Sequence, residues 1–294
     1  AIVSNLRHDP AVRHSRRVTA FRSEARSKPT LGPRYAAYRF GNGGIKQDVM
    51  ELHREMSKLD IVPNEETFRL LILGVGREGD LDTVKKLLRQ VWGINVDAIV
   101  DGLEGKNPGY ELAISPTSPL YPTSFLIYAV AHVFGINNEI PTALRLVDHI
   151  SQTYNVQPFD YVWHELLEWT FVLSAPRQSS RGEQAILPKG SVQKLWEVMR
   201  NEPYNVRPTM DMYNKLIKSL FSQQRTRDMW HYMCEALPLY EAMRKETRDL
   251  NKALHRVLKL SQPVGTLHRK YNRSRLNEKS SRLMLKRWVR LLLA

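Results

Sequence analysis

The stretch NEETFRLLILGVGREGDLDTVKKLLRQVW, residues 64–92, decides the fold. Phe68, Leu71, Ile72 and Val75 stand at intervals of 0, 3, 4 and 7, one face of a helix with 3.6 residues per turn. Gly76 to Asp80 supply a short turn, and Leu81, Val84, Leu88 and Val91 give a second apolar face at 0, 3, 7 and 10. Two helices joined so tightly fold back on each other, which reads as an αα-hairpin of about 33 residues. Asp80 and Asp82 lie at the turn, where aspartate supports the turn and caps the next helix. Upstream, Val49, Leu52, Met56 and Leu59 form another face, broken by Ile61-Val62-Pro63-Asn64.

A single hairpin cannot bury its apolar faces alone, so stacked copies are expected. Tyr154-Asn155-Val156-Gln157-Pro158 recurs fifty residues later as Tyr204-Asn205-Val206-Arg207-Pro208. Ile61-Val62-Pro63-Asn64 and Ile94-Asn95-Val96-Asp97 occupy the same place after a helix. The helix that follows such punctuation opens with an aromatic: Phe68, Trp163 and Tyr213, with Phe125 following Tyr121-Pro122. The spacing of fifty fits a unit of about 35 residues plus an insertion of about 15. Residues 174–190 supply that insertion as a polar loop, and a second one, residues 101–123, separates two units.

Thr67-Phe68-Arg69-Leu70-Leu71-Ile72 followed by Arg77-Glu78-Gly79-Asp80-Leu81 resembles the pentatricopeptide repeat, with its T-Y-N-x-L-I first helix and glycine turn. Tyr213-Asn214-Lys215-Leu216-Ile217 matches the same first-helix core, and Glu55-Met56 with the later Val-x-Pro punctuation matches the unit's end. The tetratricopeptide W-x-x-L-G-x-x-Y pattern is not met. The resemblance covers roughly residues 47–235, and the central segment is also similar to fungal mitochondrial ATPase-expression proteins. It implies an all-α, right-handed α-solenoid whose first helices line a concave surface facing RNA, one base per repeat. The family's base-reading positions fall on Arg69, Leu126, His164 and Asn214. Their unit-end partners would be Asp97, Phe159 and Thr209, pairing Arg69 with Asp97, Leu126 with Phe159, and His164 with Thr209. Only Asn214 is the family's usual residue. Leu126 cannot hydrogen-bond a base edge, so the Leu126–Phe159 pair can only stack or pack.

The 294 residues hold 44 Lys and Arg against 30 Asp and Glu, a formal charge of +14 that points to a polyanionic partner. The excess is confined to the ends. Residues 1–46 and 266–294 each carry a net +8, leaving 25 basic and 27 acidic residues between them. The design reads as a basic N-terminal arm (1–46), a solenoid (47–265) and a basic C-terminal helix (266–294). The first arm begins at Ala1 and is Arg-rich, Ser-containing and acid-poor, as transit peptides are; a solvated tail has the same composition. Within it Tyr35, Tyr38 and Phe40 alternate with Arg34 and Arg39, a mix suited either to bases and phosphates or to stapling the arm onto the first helix. In the last segment Lys279, Arg282, Lys286 and Arg290 form a basic strip beside Met284, Trp288 and Leu291. That helix could meet RNA phosphates, lie on an anionic membrane, or cap the solenoid core.

Neither a catalytic group, a cofactor site nor a metal site is expected. His231 and Cys234 have ligand-like spacing but no second pair, and Cys234 reads as a buried small apolar residue. No G-x-x-x-x-G-K-[ST] loop occurs, and Gly41-Asn42-Gly43-Gly44 reads as a hinge. Trp92, Trp163, Trp169, Trp196 and Trp230 fall on helices, where packing is their expected role. The longest apolar stretch, Phe125 to Ile136, is too short to span a bilayer. The expectation is therefore a non-enzymatic RNA-binding protein of mitochondrial gene expression, in the matrix. Its preferred setting is the mitochondrial ribosome, among ribosomal proteins, with Arg13, Arg16, Arg17, Arg22, Arg26, Arg269, Lys270, Arg273 and Arg275 on rRNA phosphates. The alternatives are a dissociable factor for one mitochondrial mRNA and a protein scaffold or membrane-surface adaptor.

Overall fold

The local sequence sets helix starts and stops first. Asn64 begins one helix by accepting from the Thr67 N–H at 3.0 Å, and Asp80 begins the next by accepting from the Thr83 N–H at 3.0 Å. The stops share one device. Asp60, Asn138 and Asn155 have φ of 53°, 70° and 50°, and the next residue's N–H turns back to a carbonyl five residues earlier. Those closing bonds are Ile61 to Met56 at 3.0 Å, Glu139 to Phe134 at 2.8 Å and Val156 to Ser151 at 3.1 Å. Tyr154-Asn155-Val156 is thus a left-handed stop, since Asn tolerates this conformation better than most residues. Its repeat differs: the helix before it has already ended at Arg200 where Asn205 takes φ 48°, and the Val206 N–H donates to the Met199 carbonyl at 2.8 Å.

The computed structural model describes residues 44–102, 114–174, 187–259 and 265–293, and among these it has eleven helices and no strand. The all-α expectation holds. The chain falls into two units, Ala1–Pro188 and Lys189–Ala294.

In the first unit the helices are α1 (Ile45–Lys58), α2 (Glu65–Arg77), α3 (Leu81–Trp92), α4 (Val96–Val100), α5 (Ser124–Ile136), α6 (Ile140–Thr153) and α7 (Asp160–Ser174). The first helices of the hairpins, α2, α5 and α7, pack side by side, while α3 and α6 lie against them as second helices. The central helix, α5, is apolar nearly all round, as a helix with neighbours on both sides must be. Glycine permits the close approach. A Cβ at Gly76 would lie 2.3 Å from Val133 Cγ1, and one at Gly135 would lie 2.5 Å from Trp169 Cδ1. Two expectations change. Leu52 and Leu59 are largely exposed, so the apolar face of α1 is only partly covered. The described end of the second insertion, from residue 114, is built into the core rather than acting as a spacer. Trp92 Nε1 donates to the Leu120 carbonyl at 2.8 Å, and the Tyr121 hydroxyl donates to the Tyr154 carbonyl at 2.6 Å.

The second unit contains α8 (Ser191–Arg200), α9 (Met210–Ser222), α10 (Thr226–Lys259) and α11 (Gly265–Leu293). At 34 residues, α10 far exceeds a repeat's second helix. Its covered side runs Met229, Met233, Ala236, Tyr240, Met243, Thr247, Leu250, Leu254 and Val257, a strict alternation of four and three. The covered side of α11 repeats it: Leu267, Tyr271, Ser274, Glu278, Ser281, Leu285, Trp288 and Leu292. This is a seven-residue seam, and the two helices pack along it as an antiparallel pair. Thr247 Oγ1 meets Ser274 Oγ at 2.9 Å within the seam, and Ser281 lies against Met243 further along.

Candidate functional site

Helix register decides which side chains share a face of the hairpins' first helices. The fourth residues of α2, α5, α7 and α9 are Phe68, Ile127, Trp163 and Tyr213, and the last three are buried. The fifth residues are Arg69, Tyr128, His164 and Asn214. Three of the sequence assignments thus sit at one register. Leu126 does not: it is the third residue of α5 and fully buried in the core. The aromatic Phe125 does not occupy the core place that Trp163 and Tyr213 occupy: it is the second residue of α5 and 58% exposed. Counting from the caps Asn64, Thr123 and Thr209 would have found Tyr128, because each cap precedes the core residue by four.

In the first unit these positions form an aromatic edge. The Arg69 guanidinium lies 5.5 Å from the centroid of the Phe125 ring and is held by Glu66 at 3.0 Å, with Glu65 beside it. Phe125 meets Phe159 at 5.3 Å between centroids, and Phe159 meets Tyr128 at 6.1 Å and Tyr161 at 5.9 Å. Tyr128 stacks on His132, whose Nδ1 is 2.6 Å from Glu165 Oε1; Trp169 Nε1 donates to the same oxygen at 2.9 Å. Phe125 and Tyr161 are more than half exposed. Such an edge can stack on bases without selecting among them, and the two glutamates offset its one cation. Asp97 is engaged by Lys85 Nζ at 2.7 Å, a hydrogen bond that raises the lysine's pKa against the opposing effect of burial. His164 is half-buried on α7, and Thr209 is the cap of α9, its hydroxyl accepting from the Met212 N–H at 3.4 Å.

In the second unit the fifth residue of α9 is covered from within the chain. Asn214 is 5% exposed, and its Oδ1 accepts a 3.1 Å hydrogen bond from Nε1 of Trp288, which is fully buried. Trp288 therefore fulfils the capping role considered for the C-terminal helix. Of the apolar strip of α11, Trp288 lies in the seam and Met284 and Leu291 are half-buried beside it, while the helix's nine Lys and Arg side chains are all exposed. Among the described residues, no carboxylate pairs with any of the nine. Arg13, Arg16, Arg17, Arg22 and Arg26 lie outside the described residues, as do Tyr35, Tyr38 and Phe40.

Other assignments resolve as follows. Cys234 is exposed, not buried, because it faces away from the seam between Met233 and Ala236; His231 is exposed as well. Four of the five helical tryptophans are buried, and Trp230 is 57% exposed. Asp80 is a structural cap. Burial opposes its ionisation, but hydrogen bonds from Lys46 and Thr83 hold the carboxyl below its ordinary range. No helix among the described residues is long and apolar enough to cross a membrane.

Residues 65–184 match a protein family described by mitochondrial ATPase expression. Pentatricopeptide repeat-containing protein 6, mitochondrial, of Schizosaccharomyces pombe is 21% identical over 127 residues, which is 43% of this chain and 26% of that protein. The chain thus spans about a quarter of the length of the curated relative it matches. Both matches agree with the resemblance read from the residues. Both are mitochondrial, and the protein is mitochondrial with them.

Proposed function

We propose that this protein is a non-catalytic RNA-binding helical-repeat protein of mitochondrial gene expression in the matrix, anchored to a large RNA–protein particle by its cationic ends. The observation that carries the reading is the division of labour within α11. The helix turns its cations outward and places Trp288 on Asn214, the one residue matching the family's usual base reader. A phosphate grip is supplied, while a base-reading position is used up. The near-neutral middle of the chain lacks the charge that tracking a free strand would require. Ribosomal RNA, with ribosomal proteins as neighbours, is the target that suits such an anchor.

A second reading rests on a separate observation. The aromatic edge of Phe125, Tyr128, Phe159 and Tyr161 lies within the stretch that matches the ATPase-expression family, and it favours contact with an unpaired transcript. Ultraviolet crosslinking of the tagged protein in intact mitochondria, with sequencing of the attached RNA, separates the two. Reads on one rRNA region, with crosslinked peptides from the cationic ends, are expected. Reads on one mRNA leader, with peptides from α2, α5 and α7, would instead make the protein a transcript factor.

A further inference from the structure

The outer face of α11 differs in chemistry from the read-out positions, and we infer that it is a seat for double-stranded RNA. The inference rests on the reading above that the cations bind RNA, and adds which form of RNA they bind. From Arg269 to Arg290 the exposed cations extend over roughly 32 Å of helix at 1.5 Å per residue. Tyr271 and Trp288 both lie on the seam side, so the one exposed ring of the helix is His268 in its first turn, and the cationic face from Arg269 to Arg290 offers no exposed ring for a base to stack on. Binding of unpaired strands combines a cationic track with such rings; a duplex conceals its base faces and presents phosphates and 2′-hydroxyls along a fixed surface. A long cationic face with a single ring at its start complements the second kind of target.

Rigidity points the same way. The seam braces α11 on α10 from Leu267 to Leu292, so the cations are held in a fixed array. A duplex matches a fixed array as it stands, whereas a flexible strand must first be ordered along it. The anionic membrane surface is the weaker fit. In the apolar strip such a helix would insert, Trp288 is already buried and Met284 and Leu291 are half-buried, while the exposed Leu276, Leu283, Val289 and Leu293 are dispersed among the cations rather than gathered into a second strip.

The test uses the full chain and compares two probes. One is an RNA duplex of about 20 base pairs, somewhat longer than the roughly 16 spanned by a compact double-strand-binding domain. The other is one of its strands alone. The variant Arg275→Gln/Lys279→Gln/Arg282→Gln/Lys286→Gln removes four exposed cations while keeping good helix formers, and circular dichroism verifies that the helices remain. Duplex affinity is expected to fall about tenfold or more, with single-strand affinity changing about twofold or less. Phe125→Ala/Tyr161→Ala should show the opposite preference. An equal loss on both probes would overturn the duplex inference while leaving RNA binding by the cations intact. Unchanged affinity for both would remove α11 from RNA binding altogether. A parent protein that binds neither probe but binds vesicles containing anionic lipid would overturn both the inference and the reading beneath it.

Discussion

Trp288 is packed at Asn214, where its indole N–H donates to the amide oxygen. The side chain is fully buried, so its loss opens a large void and frees a buried amide oxygen. Trp288→Ala should cost about 3–5 kcal/mol. Trp288→Phe should cost less, about 1–3 kcal/mol, mostly for the unsatisfied Asn214 oxygen. Urea unfolding of the two variants checks the order, and equal midpoints would show that the ring's packing contributes nothing beyond the lost hydrogen bond. Close by in sequence, burial pushes the Tyr213 phenol up to about 12, and the Glu235 carboxylate adds to the shift. The folded protein therefore holds this proton more tightly than the unfolded chain, where the phenol ionises near its ordinary value of 10.0. Its contribution to stability is complete below pH 10 and is lost as pH rises towards 12. The phenolate absorbance missing from Tyr213→Phe should titrate near 12; a midpoint near 10 would contradict the burial argument.

Among the elements, the first-unit hairpins were legible because their period is strong and their punctuation is physical. Tyr154-Asn155-Val156 marks a left-handed helix stop whether or not its family is known, and Asn64 and Asp80 cap the helices they precede. What escaped the sequence reading has equally physical causes. Ile127 fills a place that aromatics fill in α7 and α9, so matching by residue type slipped by two positions and selected Leu126 instead of Tyr128. The seam of α10 and α11 escaped because Ser274, Glu278 and Ser281 interrupt its apolar run, and because its cations dominate the composition. The contact between α2 and α5 was also invisible, since a glycine announces flexibility as readily as close packing. At Gly76 the second meaning applies. Gly→Ala normally helps a helix by about 1 kcal/mol, but here the new methyl would strike Val133, whose branched side chain has no far end to swing away. Overpacking should win, giving a net loss of about 1–2 kcal/mol. Adding Val133→Ala to Gly76→Ala should recover part of that loss; a thermal unfolding series in which the double variant is worse than both singles would refute the contact.

On the scale of the whole molecule, charge and repeat are segregated along the chain, and that segregation was fully readable from the sequence. Whether a cation points outward was not, because outward direction is set by which face the seam consumes. The segregation carries a quantitative expectation. RNA affinity should fall steeply with salt, and removing four outer cations of α11 should flatten the slope of log affinity against log salt by about 3, at roughly 0.7–0.9 per phosphate contact. A slope that stays unchanged would mean those cations release no counterions. The seam also governs how this end of the chain can change in length. Loss of one residue between Ser274 and Glu278 would turn the rest of α11 by about 100° and carry Lys279, Arg282 and Lys286 into the places now held by Glu278, Ser281 and Leu285. Loss of seven would bring Ser281 to the place of Ser274 and Leu285 to that of Glu278, with the cations still outside. In descent, then, this helix can lengthen or shorten only in sevens, while the segment joining it to α10 is bound by no such rule.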